Sequence, residues 1–82
     1  MKSLKEISEE IKNILSLKIG HRKIYNEDVA KALGIKLVTF YAQRNRNNIP
    51  YEKIMKFCLR EKISFEYLFY GNNQKGNQWN KT

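Results

Sequence analysis

The chain has 82 residues, which is enough for one domain and too few for two. Its 16 Lys and Arg exceed its 8 Asp and Glu, giving a formal net charge of +8. Such an excess favours an anionic partner, most often nucleic acid and less often a membrane surface, although it can also serve solubility alone. Because no run approaches 18 apolar residues and no signal peptide is evident, the sequence predicts a cytoplasmic protein without a membrane segment.

The first predicted element is a helix from about Leu4 to about Lys18. Ser3 and Glu6 match a capping box, in which each side chain satisfies a backbone N–H of the first turn. Gly20 is expected to end the helix. Five apolar residues at helical spacing mark its buried face: Leu4, Ile7, Ile11, Ile14 and Leu15.

The stretch from Asn26 to Asn45 predicts two short helices joined by a tight turn. Val29 and Leu33 form an apolar stripe of helical period, Ala30 permits a close crossing, and Asn26 is a good N-cap. Gly34 allows the left-handed backbone that ends a helix. Two further core residues complete the pattern: Ile35 and Phe40. This order is typical of a helix-turn-helix, whose second helix enters the DNA major groove, and an ordinary helical hairpin is the alternative.

The recognition helix is predicted from Leu37 to about Arg46, and Pro50 suits the first turn of a fourth helix. In that fourth helix one face is expected to carry Ile54, Met55, Cys58 and Leu59, with Phe57 somewhat off it. Ser64 is expected to cap a short last helix, Phe65–Tyr70, which Gly71 closes. Residues 1–71 are therefore predicted as the folded domain and residues 72–82, including Trp79, as a flexible tail.

Three segments resemble the helix-turn-helix domain of bacteriophage CI-type repressors, within the lambda-repressor-like fold. They are Val29-Ala30-x-x-Leu33-Gly34-Ile35, Arg46-Asn47-x-Ile49-Pro50-Tyr51-Glu52-Lys53-Ile54 and Ile63-Ser64-Phe65-x-Tyr67-Leu68-x-x-Gly71. The resemblance implies an all-α, compact bundle of about five helices that binds operator DNA as a two-fold dimer and represses transcription. Gln43 departs from the family, which usually has an aromatic there, so this change is expected either to weaken the core or to shift its burden to Phe40 and Tyr41. Lys36 stands where a capping Ser is common.

The register set by Gly34 and Phe40 predicts which side chains of the recognition helix meet DNA. The base-reading set is Lys36, Leu37, Val38, Tyr41, Ala42 and Asn45. Lys36 can donate to guanine, and Asn45 can pair with adenine or bond a phosphate, while the apolar members suit thymine methyl groups and an AT-rich operator. Predicted phosphate contacts are Arg44, Arg46, Lys53 and Lys56.

A homodimer is expected, because one small domain contacts few base pairs and no separate oligomerisation domain follows in this sequence. The last helix is too short to turn all its large residues toward one core. Phe65 and Leu68 are expected to face inward, and Tyr67 or Tyr70 to face the partner, with Trp79 as a further candidate.

The leading functional hypothesis is a sequence-specific regulator that binds double-stranded DNA, a small phage or prophage repressor. The alternative is a helix-turn-helix-derived protein-interaction module, such as an adaptor or antirepressor, without DNA binding. An enzyme is disfavoured because the sequence has no nucleophile–His set and no phosphate-binding Gly loop. His21, without a second ligand at suitable spacing, indicates a loop residue, and Cys58 a buried apolar residue, so no metal, cofactor or small-molecule substrate is expected.

Overall fold

The computed structural model describes residues 1–20 and 22–71, which form five helices and no strand. These helices are α1 (Leu4–Ile19), α2 (Asn26–Leu33), α3 (Leu37–Arg46), α4 (Tyr51–Glu61) and α5 (Phe65–Tyr70). The predicted all-α bundle is thereby confirmed. The predictions for His21, Trp79 and the tail over residues 72–82 fall outside the described residues.

The first helix begins and ends where its sequence predicts. The Ser3 hydroxyl accepts a hydrogen bond from the Glu6 N–H at 3.2 Å, and the Ser3 N–H donates to a Glu6 carboxylate oxygen at 2.9 Å. Gly20 adopts a left-handed conformation with φ 84° and donates its N–H to the Ser16 carbonyl. The capping box thus fixes the start of α1, and Gly20 fixes its end.

The start of α2 differs from the prediction that Asn26 is its N-cap. Tyr25 takes the N-cap position in an extended conformation, and Asn26 is the first helical residue. Asp28 replaces the expected cap, because its carboxylate accepts the Tyr25 N–H at 2.8 Å and an Arg22 N–H at 2.8 Å. The hydrogen bond from Arg22, followed by the one from Tyr25, lowers the pKa of Asp28 from its ordinary value of 3.8 to about 2.

All five helices surround one hydrophobic core. Its largest fully buried side chains include Phe40 of α3 and Phe57 of α4, which belong to the same cluster as the buried residues of α1. Leu4, Ile7, Ile11 and Leu15 of the predicted α1 face are buried, and Ile14 is partly buried. The core therefore gathers the helix-turn-helix onto α1 and α4.

The predicted buried face of α4 is wrong on one side. Ile54 and Cys58 are buried as expected, but Phe57 is fully buried whereas Leu59 is 76% exposed and Met55 is also exposed. The buried stripe through Ile54 and Cys58 can widen toward Phe57 or toward Met55 and Leu59. Helical period alone does not decide between these two sides. Burying the Phe57 ring removes more apolar surface from water than burying Met55 would.

The prediction for α5 is corrected in the same way. Leu68 is fully buried as expected, but its partner in the core is Phe69, while Phe65 is 47% exposed. Phe65 packs at the rim, with its ring centroid 6.2 Å from that of Phe69. Ser64 and Gly71 cap this helix as predicted.

Polar contacts between distant residues join the helices at their ends. The Leu4 N–H donates to the Asn47 side-chain oxygen at 2.8 Å, which ties the start of α1 to the end of α3. Lys18 pairs with Glu61 at 3.0 Å, which joins α1 to the end of α4. The Tyr67 hydroxyl donates to Glu10 at 2.6 Å, which joins α5 to α1.

Among the described residues, none of the helices is sufficiently long and apolar to cross a membrane.

The two flanks of α4 give a direct test of the core. Replacing Phe57 by Ala should lower the free energy of unfolding by about 3–5 kcal/mol, because a fully buried ring is lost and a cavity is left. Replacing Leu59 by Ala on the same helix should change it by less than about 0.5 kcal/mol, because that side chain lies in solvent. Urea unfolding of both variants measures this, and a larger loss for Leu59→Ala would contradict the packing described.

The Asp28 cap predicts a pH dependence of stability. Because its pKa is depressed in the folded state, its contribution is fully present above pH 3.8 and is lost as the pH falls toward about 2. The melting temperature of Asp28→Asn should therefore lie below that of the wild type at neutral pH, and the difference should shrink across this window. Glu27→Gln, an exposed neighbour without an ion pair among the described residues, is the control. A difference independent of pH would argue against the cap.

Candidate nucleic-acid interface

The turn between α2 and α3 sets the direction of the recognition helix. Gly34 is left-handed with φ 73°, a conformation that L residues seldom adopt. The Gly34 N–H bonds back to the Lys31 carbonyl at 3.0 Å, and the Ile35 N–H to the Ala30 carbonyl at 3.0 Å. Lys36 is then extended, and α3 begins at Leu37. The predicted turn and the predicted bounds of α3 are confirmed.

The exposed face of α3 contains most of the side chains predicted to read bases. Val38 is 71% exposed, and Tyr41, Ala42 and Asn45 are exposed along the same helix. Lys36 is exposed immediately before the helix begins. Val38, Tyr41, Ala42 and Asn45 are three and four residues apart and therefore share one exposed face of α3.

Leu37 does not belong to this exposed surface. Its side chain is partly buried and packs against the hydrophobic core, so its placement in the outward set is wrong. Thr39 is exposed instead, and the sequence analysis did not single it out. Its spacing of three residues from Ala42 was the available signal, since residues three and four apart share a helix face.

Tyr41 is held in place by two neighbours. The Asn26 side-chain amide donates to the Tyr41 hydroxyl at 3.4 Å, and the Arg44 guanidinium lies 5.2 Å from the centre of the Tyr41 ring. Arg44 also lies 5.7 Å from the centre of the buried Phe40 ring. The start of α2 therefore contributes to the α3 surface through Asn26, a functional candidate that local sequence pattern did not reveal.

Gln43 occupies the position where an aromatic residue was expected from the resemblance. Its side-chain oxygen is buried and accepts no hydrogen bond from the described residues, and the same holds for the Asn26 oxygen. Phe40 is fully buried, as expected if it takes over the core, but Tyr41 remains at the surface. A buried acceptor without a donor costs about 1–3 kcal/mol, so α3 is less firmly packed than an aromatic at residue 43 would make it.

The four predicted phosphate contacts differ in their surroundings. Arg46, Lys53 and Lys56 are exposed, whereas Arg44 is partly covered against its two aromatic neighbours. Lys56 lies 4.0 Å from Glu52, but both side chains are largely exposed, so this ion pair contributes little. The three exposed side chains thus keep their charges available to an external anion.

Two chemical features of the described residues bear on metal binding and on thiol reactivity. No group of three or more His, Cys, Asp or Glu side chains there can hold a metal ion. Cys58 is buried, and this burial raises the pKa of its thiol, which disfavours the reactive thiolate. Cys58 therefore acts as a small core residue, as its sequence context predicted.

Comparison with known proteins gives a family match. The family model described as "Bacteriophage CI repressor helix-turn-helix domain" matches residues 22–75, which is more than half of the chain. The match includes all of α2 to α5, and therefore the turn at Gly34 and the exposed face of α3. No curated protein and no solved structure matches the chain. The chain belongs to the bacteriophage CI repressor helix-turn-helix domain family.

Proposed function

We propose that this protein is a sequence-specific regulator of transcription that binds double-stranded DNA, a small phage or prophage repressor acting on an operator as a dimer. The observation that carries the proposal is the uncovered face of α3 in a family-matched helix-turn-helix. The net charge of +8 supports an anionic partner. Such a function requires a cytoplasmic location, where the operator would be found.

The side chains of α3 divide into roles by their chemistry. Val38 and Ala42 offer apolar contact to thymine methyl groups, while Lys36 and Asn45 can hydrogen-bond to base edges. Tyr41, which contacts Asn26 and Arg44, presents its exposed edge to the major groove of the DNA. Leu37 supports this surface from below through its contact with the core.

Phosphate contacts come from cations around α3. Arg46 is exposed in its last turn, and Lys53 and Lys56 are exposed on α4. The Arg44 guanidinium lies beside the Tyr41 ring. A DNA phosphate bound by Arg44 would therefore lie next to a side chain that reads bases. Contacts of this kind position the protein without reading sequence.

The dimer contact is assigned to the exposed part of α5. The Tyr67 hydroxyl already bonds to Glu10 within the chain, which leaves it less suited to a partner than the sequence suggested. Tyr70 is 59% exposed and Phe65 is 47% exposed. Two-fold pairing through these side chains would double the DNA contacts of a domain that alone covers few base pairs.

A protein-interaction module without DNA binding is the second candidate. The observation in its favour is the exposed apolar surface of α3, above all Val38. Exposed apolar side chains often mark protein interfaces. The two candidates differ in their dependence on salt, since only binding to DNA releases many counterions.

Affinity and sequence preference should respond differently to two substitutions. Val38→Ala should cost about 1–3 kcal/mol on the preferred duplex and relax the choice of one or two base pairs, because a methyl contact is lost. Arg46→Ala should weaken binding to all duplexes about equally and reduce the salt slope by roughly 0.9. Selection from random duplexes identifies the preferred site, and salt titration of labelled duplexes measures both effects. A wild-type affinity that does not change with salt would remove the DNA-binding proposal.

If α5 forms the dimer contact, a substitution there should change cooperative DNA binding without changing the stability of the fold. Tyr70→Ala should leave the melting temperature nearly unchanged and reduce cooperative binding to a duplex with two half-sites, because an exposed contact is lost. Tyr67→Phe is the matched control, which should lower stability by about 1 kcal/mol through loss of the Glu10 bond without affecting cooperativity. Sedimentation with and without the operator follows the assembly. A strict monomer in both conditions would contradict the dimer.

A further inference from the structure

A groove of about 230 Å³ lies between the end of α2, the turn that follows it, and one face of α4. Four cationic side chains line this groove, which we call the cationic groove: Lys31, Lys53, Lys56 and Arg60. Lys53 and Lys56 were predicted as separate phosphate contacts. Lys31 and Arg60 were not singled out by the sequence, and only the fold brings them to the other two.

The cations of the groove are close in space although they repel one another. Lys53, Lys56 and Arg60 are three and four residues apart, so they share a face of α4, and Lys31 approaches from α2. Neither Lys31 nor Lys53 has an ion pair within the part of the chain that the structure describes. Like charges at this spacing destabilise a helix slightly, and an anion bound between them would offset this repulsion.

The carboxylates near the groove do not neutralise it. Glu52 approaches Lys56 only to 4.0 Å, with both side chains largely in solvent. Glu61 contacts Arg60 at 3.3 Å but is shared with Lys18, which lies 3.0 Å away on α1. The groove therefore keeps an excess of positive charge that an external anion can use.

Arg60 is held in a fixed position within this groove. One terminal nitrogen donates to the Ala32 carbonyl at 3.0 Å, and the guanidinium carbon lies 5.5 Å from the centre of the buried Phe57 ring. The Ala32 carbonyl belongs to the last turn of α2, where carbonyl groups lack partners within the helix. A guanidinium fixed in this way presents its remaining N–H groups without further loss of side-chain entropy.

The groove adjoins the N-terminal end of the recognition helix. Its wall includes Gly34, only three residues before α3 begins at Leu37, whereas Arg44 and Arg46 lie in the last turn of α3. A helix of ten residues is roughly 15 Å long, and the major groove of B-DNA is about 12 Å wide. The two ends of α3 can therefore reach the phosphate backbones on opposite sides of the major groove.

We propose that the cationic groove binds a phosphate group of the DNA backbone beside the N-terminal end of α3, on the strand opposite to the one met by Arg44 and Arg46. This inference rests on the proposed function and adds Lys31 and Arg60 to the phosphate-binding residues. The two unesterified oxygens of the phosphate accept hydrogen bonds from Arg60 and from the flanking lysines. The recognition helix is then fixed on both sides of the major groove, which sets its depth and angle.

Salt titration of a labelled duplex of mixed sequence tests the groove. Each phosphate contact contributes roughly 0.9 to the slope of log affinity against log salt. Because the groove binds one phosphate, Lys31→Gln combined with Lys56→Gln should reduce the slope by about 0.9, and Lys31→Gln alone by a smaller amount. Lys5→Gln, an exposed lysine of α1 away from the groove, is the matched control and should retain the wild-type slope.

The outcomes separate this inference from the proposed function. A wild-type affinity that is independent of salt would remove DNA binding itself. A steep wild-type slope that both groove variants share would overturn the groove alone and leave the recognition helix as the DNA-binding element. If the groove bound an acidic polypeptide and not DNA, both groove variants would likewise keep the wild-type salt slope, and the inference would be overturned. Thermal melting of each variant confirms that the fold is retained, as expected for exposed lysines.

Discussion

The left-handed turn at Gly34 is the constraint on which the recognition surface depends. It ends α2 and lets the Ile35 N–H bond back to the Ala30 carbonyl, so α3 begins at a fixed angle to α2. That angle buries Phe40 and turns Val38 and Asn45 away from the core. A Cβ atom at residue 34 would meet no neighbouring atom within 4 Å, so the requirement for glycine lies in the backbone conformation and not in packing.

Side-chain contacts hold the recognition helix at its C-terminal end more than at its start. Phe40 is its one fully buried side chain, and most of its other side chains face solvent. Lys36 provides no side-chain cap at its start. At its end Asn47 takes a left-handed conformation and accepts the Leu4 N–H, and this bond joins α3 to the start of α1. The helix can therefore expose most of its side chains, because Phe40 and the bond between Asn47 and Leu4 hold it against the rest of the domain.

The features predictable from sequence were those determined by neighbours along the chain. Ser3, Gly34 and Ser64 act through residues only a few positions away, so the bounds of α1, α3 and α5 followed from their residue types. The choice between Phe57 and Met55 could not be made, because both flank the same helical stripe and only the position of the other helices decides. The Asn26–Tyr41 and Arg60–Ala32 contacts join residues 15 and 28 positions apart, and no local pattern indicates such pairs. The candidate site was therefore predictable in its main helix and not in the side chains that position it.

The placement of the acidic residues explains how a small domain can have one strongly basic side. Residues 29–51, which run from α2 through the whole of α3, contain no Asp or Glu. Two carboxylates outside this stretch are paired, Asp28 with Arg22 and Glu61 with Lys18. Arg44 and Arg46 of α3 have no ion pair within the part of the chain that the structure describes. Arg44 and Arg46 also lie at the C-terminal end of α3, where cations interact favourably with the helix dipole. The same distribution of charge therefore stabilises α3 and leaves its surroundings attractive to a polyanion such as DNA.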